Sequence, residues 1–493
     1  MRIYNSATHK KEEFQPIESG KVRMYVCGPT VYDNIHIGNA RTFISFDVIR
    51  RWLIASGYEV TFAQNLTDVD DKIIKRANEQ GRTAAEVATE FSDKFIGVMR
   101  AANVLDPDVR PRATKEIGPM IAMIKTLIEQ GHAYAADNGD VYFAVRSDPN
   151  YGQVSGRNID DLMVGARIEE NEDKNDPLDF ALWKAAKPGE PSWPSPWGEG
   201  RPGWHTECAA MVHRYLGTPI DIHGGGSDLA FPHHENECAQ ATCAWHQGFS
   251  NTWMHTGMLL VDGEKMSKSR GNVVNPNDIV DQYGADTMRL HIMFIGDFEK
   301  AVTWSNEAVK GSKRFLDRVW NLAESCTDDP AISDKNEAII HKTIKKVTED
   351  IDELKMNTAI ASMMTMANEF ATNGCTKGDM EQLLLLLSPF APHIVEELWE
   401  RLGFAAKYGK MCCQCDWPTY DEAKTVDTTV TMAVQVLGKL KGTVTVAKDS
   451  DQQTVVDAAL QLDKVQRQME GMQIVKVIHV PNKLVNLILK PKA

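Results

Sequence analysis

The chain has 493 residues, enough for several domains, and its 54 Lys and Arg against 68 Asp and Glu give a net charge of −14. This acidic balance excludes a protein that binds nucleic acid through a uniformly basic surface. Any contact with nucleic acid must therefore come from local basic patches. Nine cysteines and no signal peptide predict a protein of the reducing cytoplasm, and the absence of a long apolar run excludes a membrane span.

Residues 1–110 form the first predicted domain, an α/β unit. Apolar runs predict strands at Val22–Val26 and Glu59–Asn65, with an amphipathic helix from Ala40 to about Ser56 between them. The first strand leads into Cys27-Gly-Pro-Thr30, a short glycine turn. Because parallel sheets hold phosphates where a strand and glycine turn meet a helix N-terminus, we expect a nucleotide site here.

The next predicted segment, residues 111–203, is an insertion into this α/β domain. It contains an amphipathic helix at Thr114–Gln130, a hairpin-like pair at Ala133–Val145 and a charged stretch at Asn158–Asp176. A loop rich in Pro, Gly and Trp then leads back to the α/β domain.

The second part of the α/β domain is predicted at residues 204–304. A short strand from Pro219 to His223 runs into three glycines, and Pro232 opens a helix. On that helix His233 and Glu237 lie four residues apart and therefore on one face.

Four residues of this part of the chain could bind a metal: Cys27, Cys208, His233 and Glu237. Two sulfur ligands, one nitrogen and one oxygen form a set that zinc accepts. Buried cysteines and helical His/Glu pairs also occur without a metal, and the separations are too long for a finger-type site. From the residues alone, both interpretations stay open.

Two further domains are predicted towards the C-terminus. Residues 305–410 read as a bundle, with four helices between Ser305 and Leu402, and residues 421–493 as a small β-β-α-β-β domain. Three cysteines lie between them, at 412, 413 and 415, without a fourth ligand at metal-binding spacing. We interpret that segment as a strand with incidental thiols.

Two short motifs carry a resemblance. His36-Ile-Gly-Asn39 and Lys265-Met-Ser-Lys-Ser269 resemble, in order and separation, the two signatures of class I aminoacyl-tRNA synthetases. The resemblance implies an α/β, Rossmann-like catalytic domain with a connective insertion, followed by an α-helical bundle and a small α+β domain. It also implies that His36 and Asn39 donate to ATP phosphates and that Lys265 and Lys268 supply cations from a loop. Asn39 replaces the commoner His and keeps a donor, but it carries no charge.

Longer motifs narrow the resemblance. The stretches 25–33, 65–72 and 201–208 look like cysteinyl-tRNA synthetase, and this likeness covers about residues 1–270. It implies that Cys27, Cys208, His233 and Glu237 hold one zinc ion. A soft cation prefers a thiolate to a hydroxyl, which would separate cysteine from serine without an editing domain.

The same resemblance implies further contacts. Trp204 would cover the bound side chain, and Thr67 and Asp228 would contact the substrate; the alternatives are a core Trp, a helix cap and a loop Asp. The other implied positions are Gly28 and Thr30 for substrate and Gly224, Gly225 and Gly226 for ATP, which acts with Mg²⁺.

From about Gly271 the chain resembles leucyl-tRNA synthetase instead, as in the stretches 388–399 and 434–442. Leucine enzymes do not read the anticodon whereas cysteine enzymes do, so the identity of the tRNA stays open between the two halves. The function implied is an ATP-dependent cysteine–tRNA ligase, predicted as a monomer. The alternatives are a ligase that passes activated cysteine to a small amine, and a non-catalytic tRNA-binding protein.

Overall fold

The computed structural model describes residues 1–159, 173–266, 271–425 and 429–492. The chain divides into two compact units, one of Met1–Ile332 and Thr343–Pro418, the other of Ser333–Lys342 and Thr419–Ala493. Within the described part, no helix combines the length and apolar character needed to cross a membrane. The finer domain boundaries given above stay predictions.

The first unit contains several small sheets around a central parallel one. Its strands are β1 (Arg2–Asn5), β2 (Lys10–Glu13), β3 (Lys21–Val26), β4 (Glu59–Ala63), β5 (Ala133–Ala135), β6 (Val141–Phe143), β7 (Phe180–Ala185), β8 (Gly200–Pro202), β9 (Ile220–Gly226), β10 (Ser250–Thr256), β11 (Leu259–Val261), β12 (Glu264–Lys265) and β13 (Val302–Thr303). The helices of its first 300 residues are α1 (Ile37–Ala55), α2 (Asp71–Gln80), α3 (Ala84–Ala101), α4 (Ile117–Glu129), α5 (Trp204–Leu216), α6 (Glu235–Trp245), α7 (Pro276–Tyr283) and α8 (Ala285–Phe294).

The central sheet has the strand order β10-β9-β3-β4, with all neighbours parallel. Its strands are mostly buried, as expected for a parallel sheet covered on both faces. Helix α1 packs on this sheet and buries most of its own length. The predicted α/β class is therefore confirmed.

Strand β9 differs from the prediction. It is longer than the predicted Pro219–His223, because Gly224 to Gly226 continue the strand, paired with Met254 to Thr256 of β10. A Cβ on Gly224 would lie 2.3 Å from the ring of Phe46 in α1, so this glycine lets the helix approach the strand. Tight packing explains Gly224 without any ligand.

The insertion forms an antiparallel sheet of order β5-β6-β7-β8. The predicted hairpin is present as β5 and β6, and the predicted helix is present as α4. Of the charged stretch, residues 160–172 lie outside the described residues.

The bundle contains five helices where four were predicted: α9 (Asn306–Ser325), α10 (Glu337–Asp352), α11 (Met356–Asn373), α12 (Lys377–Leu387) and α13 (Pro392–Arg401), with a short α14 (Phe404–Tyr408) after them. Only three residues separate α10 from α11, and the reversal uses Leu354 at φ 57°. Neither Gly nor Pro marks that turn, so the sequence pattern does not reveal it. The cysteine segment is a 3₁₀ turn at Cys412–Gln414 and not the predicted strand.

The second unit contains β14 (Thr429–Val436), β15 (Lys439–Ala447), α15 (Gln452–Ala459), α16 (Asp463–Met469), β16 (Met472–Val480) and β17 (Leu484–Pro491). Its sheet has the order β15-β14-β17-β16. Two short helices replace the single predicted one, because the chain turns between Leu460 and Leu462. Val434, Val455 and Leu487 lie in its separate hydrophobic core.

Candidate active site and metal centre

A pocket lies at the carboxyl ends of the parallel strands, beside the N-terminus of α1. Cys27 follows β3 directly, Gly226 ends β9 and Thr256 ends β10, and all three line the pocket. His36 lies at the N-terminus of α1 and lines it too. In open α/β sheets this edge is where ligands bind.

The four predicted metal ligands meet at this edge. Their candidate ligand atoms lie within 4.8 Å of one another, and all four side chains are buried. The Cys27 and Cys208 sulfurs are 3.7 Å apart, and Cys27 Sγ lies 3.4 Å from Glu237 Oε1. His233 Nε2 lies 2.8 Å from the same carboxylate oxygen.

These distances fit a zinc ion. Zinc–sulfur bonds of about 2.3 Å and zinc–nitrogen or –oxygen bonds of about 2.0–2.2 Å place tetrahedral neighbours roughly 3.3–3.8 Å apart. The Cys27–Cys208 and Cys27–Glu237 separations of 3.7 and 3.4 Å fall in that range. The shorter His233–Glu237 contact is a hydrogen bond that a metal would replace.

The pKa values of the cluster show how its buried charges balance one another. Burial opposes ionisation of Cys208, but hydrogen bonds from Cys27 and His233 outweigh it and lower the pKa of Cys208 to about 6. Burial also opposes a charged His233, yet Glu237 and Cys208 raise the pKa of His233 to about 10. The pKa of Cys27 is raised by burial and by the Cys208 thiol. A proton on His233 thus balances the negative ligands, and a divalent cation would replace it.

The local fold brings His233 and Glu237 together. Helix α6 begins at Glu235, later than the predicted start at Pro232, and an irregular π-type turn, Ala230–His234, precedes it. The pair still lies four residues apart with its side chains in contact.

Sequence reasoning missed the other histidines around the cluster. His223 Nε2 lies 3.1 Å from Glu237 Oε2 and 3.7 Å from Cys27 Sγ, and His234 completes a second group of possible ligands with these three. His205 Nδ1 lies 2.9 Å from His233 Nδ1. Their only sequence signal is the number of histidines in 205–234, because spacing does not show which of them face the cluster.

His36 and Asn39 form a capping box at the start of α1. Asn39 N donates to His36 Nδ1 at 3.2 Å, and His36 N donates to Asn39 Oδ1 at 3.1 Å. This mutual cap fixes both side chains at the helix N-terminus, which favours negative charge. Because Asn39 Oδ1 already accepts a hydrogen bond, its amide nitrogen is the group that can donate to a phosphate.

The second signature borders the same pocket. Lys265 Nζ lies 2.9 Å from Asp228 Oδ2, and both residues line the pocket. Met266 is buried against α1, since a Cβ on Gly38 would lie 3.1 Å from its terminal methyl group. Lys268 lies outside the described residues.

The other predicted contacts divide into two groups. Gly28, Thr30, Trp204, Asp228 and Gly226 line the pocket. Thr67, Gly224 and Gly225 are not among the lining residues. Thr67 Oγ1 donates to Glu207 Oε2 at 2.8 Å inside the protein. Its hydroxyl therefore donates to a buried carboxyl group, and its contact with substrate stays a prediction.

Trp204 covers one side of the cluster of candidate ligands. Its ring stacks on His233 with centroids 4.2 Å apart and an interplanar angle of 19°. Gly203 provides the N-cap of α5, so Trp204 is the first residue of that helix and Cys208 lies one turn later. Trp204, which lines the pocket, and Cys208, a candidate ligand, therefore lie on the same helix.

Solved structures show the same fold at low identity. The ternary complex of Agrobacterium radiobacter LeuRS with tRNA and LeuAMS has a TM-score of 0.66 and 15% identity, with 97% of each chain covered. Mycobacterium tuberculosis methionyl-tRNA synthetase in complex with methionyl-adenylate has a TM-score of 0.59 and 16% identity, covering 79% of this chain and 97% of its own. The fold is that of a class I aminoacyl-tRNA synthetase.

Sequence comparisons give the family. The model of the tRNA synthetases class I (C) catalytic domain matches residues 13–314, and that of the anticodon-binding domain of tRNA ligase matches 337–456. A cysteine–tRNA ligase of Shewanella sp. (strain ANA-3) is 43% identical over 442 residues, 86% of this chain and 95% of its own. One of Salmonella arizonae is 46% identical over 376 residues, 76% of this chain and 81% of its own. The chain belongs to the cysteine–tRNA ligase family of class I synthetases.

The comparisons also bear on the proposed change of resemblance near Gly271. The class I (C) match continues to residue 314, well beyond that point. The structural likeness to LeuRS, at 15% identity, concerns the fold alone. A leucine-type origin of the C-terminal half therefore stays a prediction.

Proposed function

We propose that this chain activates cysteine with ATP and transfers it to the 3′ end of a tRNA. The observation that carries the proposal is the buried two-thiol cluster, whose Cys27 lines the same pocket as the His36 signature. Family membership supports the same reaction. Cysteine and ATP would give cysteinyl-adenylate and pyrophosphate, and a ribose hydroxyl of the tRNA would then accept the cysteinyl group.

Cys27, Cys208, His233 and Glu237 are the residues proposed to hold one zinc ion. When bound, zinc would supply a soft Lewis acid that prefers the thiolate of cysteine to the hydroxyl of serine. A pocket that selects by shape alone separates such near-isosteres by only about 10–200-fold. Trp204, stacked on His233, would close the pocket over the substrate side chain and exclude water.

The proposed ATP site is formed by His36, Asn39, Gly226 and Lys265. The capped N-terminus of α1 offers donors and a favourable dipole to the phosphates. Lys265, with Lys268 predicted from the sequence, would stabilise the charge that develops when pyrophosphate leaves. Mg²⁺ is expected to accompany ATP. The side chains of this chain position the substrates and stabilise the developing charge, and the reaction needs no protein nucleophile.

A tRNA is the proposed acceptor. The match of residues 337–456 to an anticodon-binding domain supports a macromolecular acceptor over a small amine, the alternative raised by the catalytic half alone. The cysteine–tRNA ligase relatives support a cysteine tRNA. A cytoplasmic monomer completes the proposal, and sedimentation of the purified chain would test its monomeric state.

Pyrophosphate exchange tests the proposal. The zinc-loaded chain should exchange pyrophosphate into ATP with cysteine, and the cysteine-to-serine ratio should exceed the roughly 200-fold limit for shape. Cysteine should then be attached to a cysteine tRNA and not to a leucine tRNA. Exchange with serine at a comparable rate would overturn the role of the metal. Charging of the leucine tRNA alone would overturn the acceptor.

A further inference from the structure

His205 lies directly behind His233, on the side away from the other ligands. His233 Nε2 faces the cluster, 2.8 Å from Glu237 Oε1. Its other ring nitrogen, Nδ1, lies 2.9 Å from His205 Nδ1. The His233 ring therefore connects the cluster to a second imidazole, and no role has been given to His205 so far.

The contact between two ring nitrogens allows two proton arrangements. If His233 Nδ1 carries the proton and donates it, then His233 Nε2 has a free lone pair and can bind a metal. If His205 is the donor, a neutral His233 carries its proton on Nε2 and cannot bind a metal. Only the first arrangement is compatible with His233 as a ligand.

Several elements hold the His205 ring in this position. His205 is the second residue of α5, next to Trp204, whose ring stacks on the His233 ring with centroids 4.2 Å apart. The Gln240 amide in α6 donates to the His205 carbonyl at 2.9 Å, and the ring of Phe180 in β7 meets the imidazole edge-on at 5.6 Å. Contacts from α5, α6 and β7 thus hold His205 beside His233 before any metal binds.

We propose that His205 is a positioning residue: it accepts a hydrogen bond from His233 Nδ1 and so holds that imidazole in the tautomer and orientation that bind zinc. The proposal rests on the zinc site proposed above. Histidine ligands commonly donate their second N–H to an outer partner, and loss of that partner costs about 10- to 100-fold in metal affinity. Here the partner is a neutral imidazole, so it orients the ligand without adding charge.

The test compares zinc affinities of the full chain by competition with a chromophoric chelator. His205→Leu keeps bulk but removes the acceptor, and zinc should bind about 10- to 100-fold more weakly. His205→Asn places a carbonyl oxygen at the position of Nδ1 and should restore affinity to within a few-fold of the parent. His213→Leu is the matched control, because it makes the same change on an exposed face of α5.

The outcomes separate the two proposals. If the parent binds no zinc, the metal centre itself fails. If the parent and His205→Leu bind zinc equally, the metal centre stands and the role of His205 is overturned. A folded His205→Asn variant that binds zinc as weakly as His205→Leu would also overturn it, since bulk rather than the acceptor would then matter. If His205→Leu does not fold, parent-like affinity of His205→Asn supports the proposal, and weak binding by a folded His205→Asn overturns it.

Discussion

Cys208 shows how its surroundings can prepare one side chain to bind a metal. Its pKa is lowered to about 6 by hydrogen bonds from Cys27 and His233, despite burial, which acts in the opposite direction. Because the thiolate is the form that binds metal, this environment prepares Cys208 as a ligand near neutral pH. Serine at the same position would keep the shape and lose the soft sulfur.

We therefore predict that Cys208→Ser binds zinc more than about 100-fold more weakly than the parent, a larger loss than is typical for an outer partner. Cysteine-dependent pyrophosphate exchange should fall with it, while the thermal midpoint of the metal-free protein changes little. Cys243→Ser, a buried thiol of α6 that is not in the cluster, is the control and should keep zinc. Full zinc occupancy in Cys208→Ser would remove this cysteine from the ligand set.

Gly38 lies where the two class I signatures, at His36 and at Met266, pack closely against each other. A Cβ there would lie 3.0 Å from the His36 ring and 3.1 Å from the methyl group of Met266. Both neighbours would have to shift by a few tenths of an ångström. The glycine thus lets the second signature pack on the first.

Gly38→Ala should consequently slow adenylate formation, by about 10- to 100-fold, since small displacements of positioned groups are costly. The matched control is Gly97→Ala in α3, where a Cβ has no neighbour within 4 Å. That variant should keep full activity and gain about 0.5–1 kcal/mol of stability. Equal exchange rates for the two variants, measured at saturating cysteine, would show that the packing of Met266 on α1 does not matter for catalysis.

At the scale of whole elements, sequence patterns predicted what depends on local chemistry. A mostly apolar run at Val22–Val26 predicted β3, and the turn around Asn138-Gly139 predicted the hairpin of β5 and β6. The four ligand positions followed from residue type together with resemblance. Each of these signals is carried by neighbouring residues in the chain.

What the sequence could not reveal depends on contacts between distant residues. Gly224 continues β9 because Phe46 of α1 packs over it, a relation that no local pattern contains. Thr67 donates to Glu207 of α5, a partner 140 residues away in the chain that no local pattern indicates. His205 was missed for the same reason, because its contact with His233 joins α5 to the turn before α6.

Helix α1 also carries a buried charge that connects distant parts of the first unit. Asp47 Oδ2 accepts from Arg289 of α8 at 2.8 Å and from Arg51 at 2.9 Å, and Asp47 Oδ1 accepts from Leu105 N at 2.8 Å. Arg289 also donates to the Pro389 carbonyl. Burial opposes the Asp47 charge, but the two arginines and the hydrogen bonds outweigh it and lower the pKa of Asp47.

We predict that Asp47→Asn destabilises the protein by about 3–5 kcal/mol at neutral pH, because it leaves the Arg289 charge buried without its partner. The folded-state pKa of Asp47 is depressed, so its contribution is complete above the unfolded value near 3.9 and is lost as pH falls through the folded value. Urea unfolding between pH 7 and pH 3 should show this loss of unfolding free energy at acid pH in the parent and not in Asp47→Asn. Asp93→Asn, an exposed carboxylate of α3, is the control. A parent-like acid dependence in Asp47→Asn would contradict the linkage.

At the scale of the whole molecule, charge is distributed unevenly. The chain carries −14 overall, whereas residues 421–493 hold ten Lys and Arg against eight Asp and Glu, a net of +2. Lys439 and Lys441 lie on β15 of the hairpin with β14, and Lys448 follows directly after that strand. This hairpin is the place in the second unit where phosphate contacts are most expected.

We predict that the triple change of Lys439, Lys441 and Lys448 to Gln weakens tRNA binding in a salt-dependent way and leaves cysteine-dependent pyrophosphate exchange intact. Each phosphate contact removed should reduce the slope of log affinity against log salt by about 0.7–0.9, so the three together should reduce it by about 2–3. Such contacts position a tRNA without reading its sequence, so cysteine and leucine tRNAs should lose affinity alike. The double variant Lys464→Gln and Arg467→Gln, on α16, is the control for loss of positive charge elsewhere in the second unit. An unchanged slope in the triple variant, or an equal change in the control, would mean that the hairpin does not meet the tRNA backbone.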